Sequence, residues 1–369
     1  MRPTRAIIHT DNFRHNIKLV RNHVGREKLV CAAIKADAYG HGANELCSVA
    51  IEEGVSYFAI ATVGEGASLR KSNLTIQILL LTLTTPEEFP EIISNGIQPF
   101  VADRAYIKGL NREAKKQGRI LDVHLHVDSG MGRIGCKPKD AVVLAQLIES
   151  LENINLKGVS THFCCADDPS KPMTKDQILK FKEAIEQIKS AGIDPGIVHA
   201  SNSAAIVGFP DSWIDMVRPG IILYGYYPGH EQERILNVKP VMEFRTEVVF
   251  LKKVAAGQPL SYGATYVTER ETYIATLPVG YGDGYNRLLS SKGIILINGK
   301  KYKVAGRVCM DQLLIDLGPD TNVDLYDEAI LFGVGPDEQT AEDLAVVLDT
   351  ISYEITCNVN KRVPRVYLP

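Results

Sequence analysis

Short apolar runs alternate with amphipathic helical stretches over roughly the first two thirds of the chain. Strand–helix alternation predicts a parallel sheet, and eight such units over roughly 200–250 residues are the length of a (β/α)8 barrel. A doubly wound open sheet is the alternative, but no G-x-G-x-x-G follows the first strand. The strand candidates are Val30–Lys35, Tyr57–Thr62, Ile76–Leu81, Ile97–Ala102, Leu121–Val127, Leu156–Phe163, Gly196–Ser201 and Asp215–Leu223.

The pattern changes near Pro240, after which strand-like runs dominate and only one helix, Thr340–Cys357, is predicted. The α/β chain is therefore expected to divide into a TIM-type barrel domain, residues 1–235, and a mainly-β domain, residues 236–369. The strand candidates of the second domain are Glu243–Leu251, Thr272–Leu277, Ile294–Ile297, Tyr302–Ala305, Leu313–Leu317 and Ala329–Phe332.

Composition excludes several classes of partner. The formal net charge of -3 gives no reason to expect nucleic acid or an anionic membrane surface, and no apolar run is long enough to span a bilayer. The N-terminus has no signal-peptide pattern, and the seven cysteines have no repeating spacing, so we expect free thiols in a cytoplasmic protein. Cys164 and Cys165 adjoin without a second cysteine pair, and His124 and His126 lack further ligands, so no metal site is predicted.

Lys35 is placed where the first predicted strand ends. A buried lysine is costly as a charge, and desolvation produces a neutral, nucleophilic amine that can form a Schiff base. The alternative is a lysine whose stem is buried while its ammonium reaches solvent. Gly40 and Gly42 then predict a tight turn into a helix.

Polar residues also mark the ends of later barrel strands, which is where barrel enzymes carry their chemistry. Arg133 follows the fifth strand, His162 the sixth and Ser203 the seventh, and Arg218 lies in the eighth. Taken singly, Ser203 reads as a helix N-cap, Arg218 as part of a salt bridge and His162 as a buried imidazole. Their shared position at one face of the barrel favours a functional site.

Two loops of the second domain are rich in tyrosine and glycine, namely Leu260–Tyr266 with Tyr262 and Pro278–Tyr285 with Tyr281. A phenol acts as a base only when a cation or hydrogen bond lowers its pKa. The alternative is that these tyrosines pack at an interface. Arg307 and Asp311 follow a strand, where an ion-paired turn is the simpler interpretation.

Together these motifs resemble the alanine racemase family of fold type III enzymes, which use pyridoxal 5′-phosphate. The resemblance runs along nearly the whole chain. It rests on Lys35–Gly42, Val127–Gly135, Thr161–Phe163, Asn202–Ala205, Arg218–Ile221, Leu223–Gly225, Ser261–Gly263, Gly280–Gly284, Gly306–Arg307, Met310–Asp311 and Arg362–Arg365.

The resemblance implies a two-base interconversion of L- and D-alanine that supplies D-alanine for peptidoglycan. Lys35 would bind the cofactor covalently and act as one base, and Tyr262 of the partner subunit in a homodimer would be the other. Racemisation of serine or a basic amino acid on the same scaffold is the alternative. A fold type III decarboxylase and a non-catalytic cofactor-binding protein are more distant ones.

The family pattern also implies roles for the remaining residues. Arg218 would contact the pyridine nitrogen with support from His162. Arg133 would bind the cofactor phenolic oxygen and the substrate carboxylate, and Met310 of the partner subunit would add a backbone N–H. The phosphate would be held by Tyr39, Ser203, Tyr353 and the backbone of Gly220 and Ile221, with Asn202 beside it. Tyr281 would narrow the entrance, and Arg307 and Asp311 would shape the site around Tyr262.

Two positions depart from the family pattern. Asp37 stands where many relatives carry asparagine, and His126 stands where many carry a carbamylated lysine that orients the arginine matching Arg133. A histidine forms no stable carbamate, so either a neutral His126 accepts a hydrogen bond from Arg133 or another anion orients it.

Overall fold

A computed structural model describes residues 2–72, 75–229 and 231–369. Its strands are β1 (Arg5–His9), β2 (Leu29–Ala33), β3 (Tyr57–Ile60), β4 (Gln77–Leu80), β5 (Ile97–Val101), β6 (Leu121–His126), β7 (Ile154–Ser160), β8 (Ile197–His199), β9 (Met216–Val217), β10 (Met242–Glu247), β11 (Phe250–Val254), β12 (Pro259–Leu260), β13 (Tyr266–Val267), β14 (Thr272–Leu277), β15 (Ile294–Ile297), β16 (Lys300–Lys303), β17 (Leu313–Gly318), β18 (Glu328–Phe332) and β19 (Arg365–Leu368). Its helices are α1 (Thr10–Val24), α2 (Lys35–Tyr39), α3 (Ala43–Glu52), α4 (Val63–Lys71), α5 (Phe89–Ser94), α6 (Arg104–Lys116), α7 (Ala141–Glu149), α8 (Met173–Ser190), α9 (Ser203–Gly208), α10 (Ala341–Leu348) and α11 (Ser352–Cys357).

Strands β2 to β9 pair in sequence order and close into a parallel barrel, which confirms the predicted architecture. Each of these strands overlaps one of the predicted apolar runs. The eighth run is mostly not strand, because Ile221–Tyr224 forms a short 3-10 helix. The chain leaves the barrel at Pro219 and Gly220, where a proline offers no N–H to a strand ladder.

The C-terminal region is mainly strand, as predicted, and forms a six-stranded sheet, a three-stranded sheet and a hairpin. The six-stranded sheet has the order β16-β15-β18-β10-β1-β19. Strand β1 was not predicted, and it joins the start of the chain to this sheet by pairing with β10 and β19.

Two predicted elements of this region are wrong in detail. The single helix Thr340–Cys357 is two helices, α10 and α11, because Asp349 adopts a left-handed conformation with φ 55° and ends α10. The strand Glu243–Leu251 is likewise divided into β10 and β11, which belong to different sheets. In the described ranges, no helix combines the length and apolar content that crossing a bilayer requires.

Candidate active site

The short element α2 is a left-handed turn after Lys35 and not a right-handed α-helix. Four consecutive residues, Ala36 to Tyr39, have φ between 51° and 55°. Each L-residue in this conformation costs roughly 1–2 kcal/mol, so surrounding contacts must hold the turn. The carboxylate of Glu65 accepts the N–H of Ala36 at 2.6 Å, and Asp37 accepts the N–H of Ala43 at 2.8 Å. Asp37 therefore stabilises the start of α3 in this chain.

Lys35 lies half-buried at the end of β2. Burial lowers the pKa of its ammonium, and the nearby charge of Arg133 lowers it further, while Glu65 and Cys357 oppose the shift. A lowered pKa increases the fraction of neutral amine at neutral pH. This environment favours a chemically reactive lysine over one whose stem is buried while its ammonium is solvated.

Arg218 is a buried cation whose hydrogen-bond partners are all neutral. Its guanidinium donates to His199 Nδ1 at 2.7 Å, to the carbonyl of Thr161 at 2.6 Å and to that of Ala200 at 3.1 Å. His162 Nδ1 accepts a longer bond of 3.3 Å. Among the residues that the structure describes, no carboxylate pairs with Arg218, so the salt-bridge interpretation is not supported. Burial lowers its pKa to about 10, which leaves it protonated at neutral pH.

A chain of hydrogen bonds continues from Arg218 through the barrel interior. Because a guanidinium only donates, His199 Nδ1 must accept and its Nε2–H must donate to His124 Nδ1 at 2.9 Å. His124 Nε2–H then donates to Gln98 Oε1 at 3.0 Å, and Gln98 donates to Gln77 at 2.6 Å. Burial and Arg218 lower the pKa of both histidines, which keeps them neutral in these tautomers. His199 was not among the predicted site residues, although it ends a barrel strand.

The residues predicted to hold the phosphate meet beside this arginine. Ser203 Oγ accepts the N–H of Gly220 at 2.7 Å. The Tyr39 hydroxyl lies 2.8 Å from the point where a Cβ on Gly220 would stand. The rings of Tyr39 and Tyr353 are 5.6 Å apart, and the buried Ile221 follows Gly220.

Asn202 is close to this group, but its side chain is already occupied. Its Oδ1 caps α9 by accepting the N–H of Ala205 at 3.0 Å, and its Nδ2 donates to the carbonyl of Phe163 at 3.2 Å. The predicted place of Asn202 beside the phosphate stays a prediction, and its visible role is to position Ser203.

Arg133 is exposed on the loop after β6, near enough to lower the pKa of both Lys35 and His162. His126 makes no hydrogen bond with it in the described ranges. The imidazole of His126 stacks on Phe100 at 4.4 Å and bonds through Nδ1 to Ser160 Oγ at 2.8 Å. Within the described parts of the chain, no anion pairs with Arg133 either.

A second group of predicted site residues lies in the C-terminal region. Tyr262, Met310 and Tyr281 are 73%, 53% and 42% exposed. Tyr262 and Met310 line an open cavity of about 500 Å³ together with Asp311. The Ser261 hydroxyl joins the Tyr262 loop to the backbone of Arg307. It donates to the Arg307 carbonyl and accepts the Arg307 N–H.

Arg362 stabilises this second group. Its guanidinium donates to Asp311 at 2.8 Å and to the buried Asp283 at 2.8 Å. Asp311 is therefore ion-paired with Arg362, and in the described ranges it forms no ion pair with Arg307, so the turn held by an Arg307–Asp311 pair is not found. In the described ranges, no hydrogen bond, ion pair or ring contact connects this group directly to Lys35.

The comparisons with known proteins agree along the full length. Residues 8–228 match the family "Alanine racemase, N-terminal domain" and residues 241–367 match "Alanine racemase, C-terminal domain". The alanine racemase of Treponema denticola is 45% identical, covering 100% of this chain and 99% of that protein. That of Halothermothrix orenii is 41% identical, covering 99% of this chain and 97% of that protein.

Solved structures give the same result. The alanine racemase of Clostridium difficile 630 has a TM-score of 0.95 and 40% identity, covering 100% of this chain and 96% of that one. The alanine racemase of Bacillus anthracis with bound L-Ala-P has a TM-score of 0.94 and 31% identity, with 100% and 96% coverage. The chain belongs to the alanine racemase family.

Proposed function

We propose that this protein is a pyridoxal 5′-phosphate-dependent alanine racemase that interconverts L- and D-alanine and supplies D-alanine for peptidoglycan. The observation that carries the proposal is a half-buried lysine with a lowered pKa at the end of β2, together with a buried arginine at the end of the neighbouring strand β9 that has no carboxylate partner among the described residues. The relatives named above are alanine racemases, and the substrate is inferred from them. A cytoplasmic location is part of the proposal.

The residues present fit the cofactor. In the described part of the chain, the Nε–H of Arg218 has no protein acceptor, so it is available to a pyridine nitrogen. A Cβ on Gly220 would fill the space between its backbone and the Tyr39 hydroxyl. Because glycine leaves this space open, a phosphate could approach the backbone closely. Tyr39, Ser203 and Tyr353 would bind that phosphate through their hydroxyls. When bound, pyridoxal phosphate supplies a conjugated system that delocalises the electron pair left at the substrate α-carbon.

Racemisation requires a proton to leave one face of the α-carbon and another to arrive at the opposite face. We assign one face to the amine of Lys35, because burial lowers its pKa and so increases the fraction that can accept a proton. We assign the other face to the phenol of Tyr262 of the partner subunit. Arg133 would bind the substrate carboxylate, because a guanidinium pairs with a carboxylate through two parallel hydrogen bonds.

Arg218 would determine which reaction follows proton removal. It donates a hydrogen bond but keeps its proton, since its pKa of about 10 lies well above neutral pH. A pyridine nitrogen beside it would stay largely unprotonated and would withdraw less electron density. We expect this to favour return of the proton to the α-carbon over transamination.

The homodimer is inferred from the two separate groups of site residues. Tyr262, Tyr281 and Met310 are large side chains left exposed together in one chain. Covering them with a second copy of the chain would bury apolar surface. It would also bring these residues next to Lys35 and complete the proposed active site. Each active site would then contain residues of both subunits.

The first test is to incubate the purified protein with pyridoxal phosphate and L-alanine and to follow D-alanine by chiral chromatography. We expect D-alanine from the wild type, none from Lys35→Ala, and a severe loss in both directions from Tyr262→Phe. L-serine, L-lysine and L-arginine run in parallel test the alternative substrates. Absence of D-alanine from protein with bound cofactor would refute the proposed substrate.

A further inference from the structure

Three sulphur atoms meet between β7 and α8, outside the groups described above. Cys164 Sγ lies 3.5 Å from Cys165 Sγ and 3.4 Å from Met173 Sδ, and Cys165 Sγ lies 4.0 Å from Met173 Sδ. Both cysteines are free and partly exposed, and Met173 is 38% exposed. All three sulphurs are therefore within reach of an ion from solvent.

The three sulphurs form a nearly regular triangle. The point equidistant from them lies about 2.1 Å from each, close to the roughly 2.3 Å of a metal–thiolate bond. An expansion of a few tenths of an ångström would give trigonal coordination. Side-chain rotations of two partly exposed cysteines and of the flexible, exposed Met173 can supply that movement.

We propose that Cys164, Cys165 and Met173 form a binding site for a soft monovalent metal ion, Cu(I). A thioether is a soft ligand that suits Cu(I), whereas structural zinc takes thiolates and imidazoles in a tetrahedral set. Binding forms three metal–sulphur bonds and releases the two thiol protons to solvent. The described residues contain no group of three or more His, Cys, Asp or Glu that could hold a metal, so the site depends on the methionine.

The site adjoins the loop that carries Arg133. Met173 Cε and Gln177 Cγ both lie 3.3 Å from the point where a Cβ on Gly130 would stand. Gln177 accepts the N–H of Cys164 at 3.2 Å and donates to the carbonyl of His162 at 3.1 Å. An ion held by the three sulphurs would thus be next to the substrate side of the proposed active site, without sharing a ligand with it.

The test presents Cu(I) to the holoenzyme under nitrogen as its complex with bathocuproine disulfonate, whose absorbance falls as the protein removes copper. We expect one Cu(I) per chain in the wild type. Cys164→Ser, Cys165→Ser and Met173→Leu should each weaken binding by at least about tenfold, since even outer partners of a metal are worth roughly 10–100-fold. The matched control is Cys357→Ser, an exposed cysteine outside the site, which should bind copper like the wild type.

Three results would overturn the proposal. The first two are wild-type affinity in Met173→Leu and one tightly bound copper in the Cys164→Ser, Cys165→Ser double variant. Tighter binding of Zn(II) than of Cu(I) would also overturn the assigned class of ion. Because Met173 is exposed, its leucine variant should fold even if a serine variant does not, and circular dichroism checks this. None of these results depends on racemisation, so failure of this site and failure of the proposed function are distinguishable.

Discussion

Replacing His199 with leucine tests how the fold holds the charge of Arg218. The substitution removes the acceptor 2.7 Å from the guanidinium and the donor 2.9 Å from His124. A hydrogen bond to a charged group is worth about 1.5–3 kcal/mol, and a buried polar atom left without a partner costs about 1–3 kcal/mol. Together these effects predict that the free energy of unfolding falls by about 3–5 kcal/mol.

Urea unfolding of the apoprotein, followed by circular dichroism, measures this loss. His199→Asn is the matched control, because its amide oxygen can accept from Arg218 in place of Nδ1. We expect the asparagine variant to recover about half of the stability that leucine loses, with an unchanged urea slope in both. A loss below about 1 kcal/mol for His199→Leu would refute the reasoning, since it would mean that Arg218 does not depend on this acceptor.

Two further predictions concern stability. In the folded state His124 and His126 have pKa values of about 3 instead of 6.5, so the unfolded state binds more protons as the pH falls below about 6.5. Each of these histidines should lower the free energy of unfolding by about 1.4 kcal/mol for every pH unit below about 6.5. Equal urea midpoints at about pH 7.5 and about pH 5.5 would contradict this prediction. Gly220→Ala should lose about 1–3 kcal/mol and bind the cofactor more weakly, because the new Cβ would stand 2.8 Å from the Tyr39 hydroxyl. Gly208→Ala, whose nearest neighbour would be 3.9 Å away, is the control, and an equal loss in both variants would exclude the steric cause.

The barrel could be predicted because its strands are buried on both faces. Such strands read as nearly continuous apolar runs, and each of the eight runs overlaps a barrel strand, although the eighth contains only the two residues of β9. Strand β1 was missed because its partners, β10 and β19, lie more than two hundred residues away in sequence. The division between α10 and α11 depends on Asp349, a residue type that also occurs inside helices.

Part of the candidate site could be predicted for a similar reason. In a parallel barrel the ends of the strands share one face, so the order of strands along the chain is enough to place Lys35 and Arg218 together. His199 could not be identified, because an inward histidine on a short strand looks the same whether it supports an arginine or only fills the core. Likewise, the sulphur site needs Met173, which the spacing of the cysteines does not reveal.

The left-handed turn after Lys35 makes the proposed cofactor lysine depend on the end of the chain. A Cβ on Gly40 would stand only 2.2 Å from the carbonyl oxygen of Thr356, and Arg365 donates to the carbonyl of Gly40 at 3.0 Å. A chain truncated before Thr356 would keep every barrel strand. It would lack the contacts of Thr356 and Arg365 with Gly40 that hold this turn in place. We therefore expect such a fragment to bind the cofactor poorly, so that cofactor loading reports on whether residues 356–365 are present and docked against this turn.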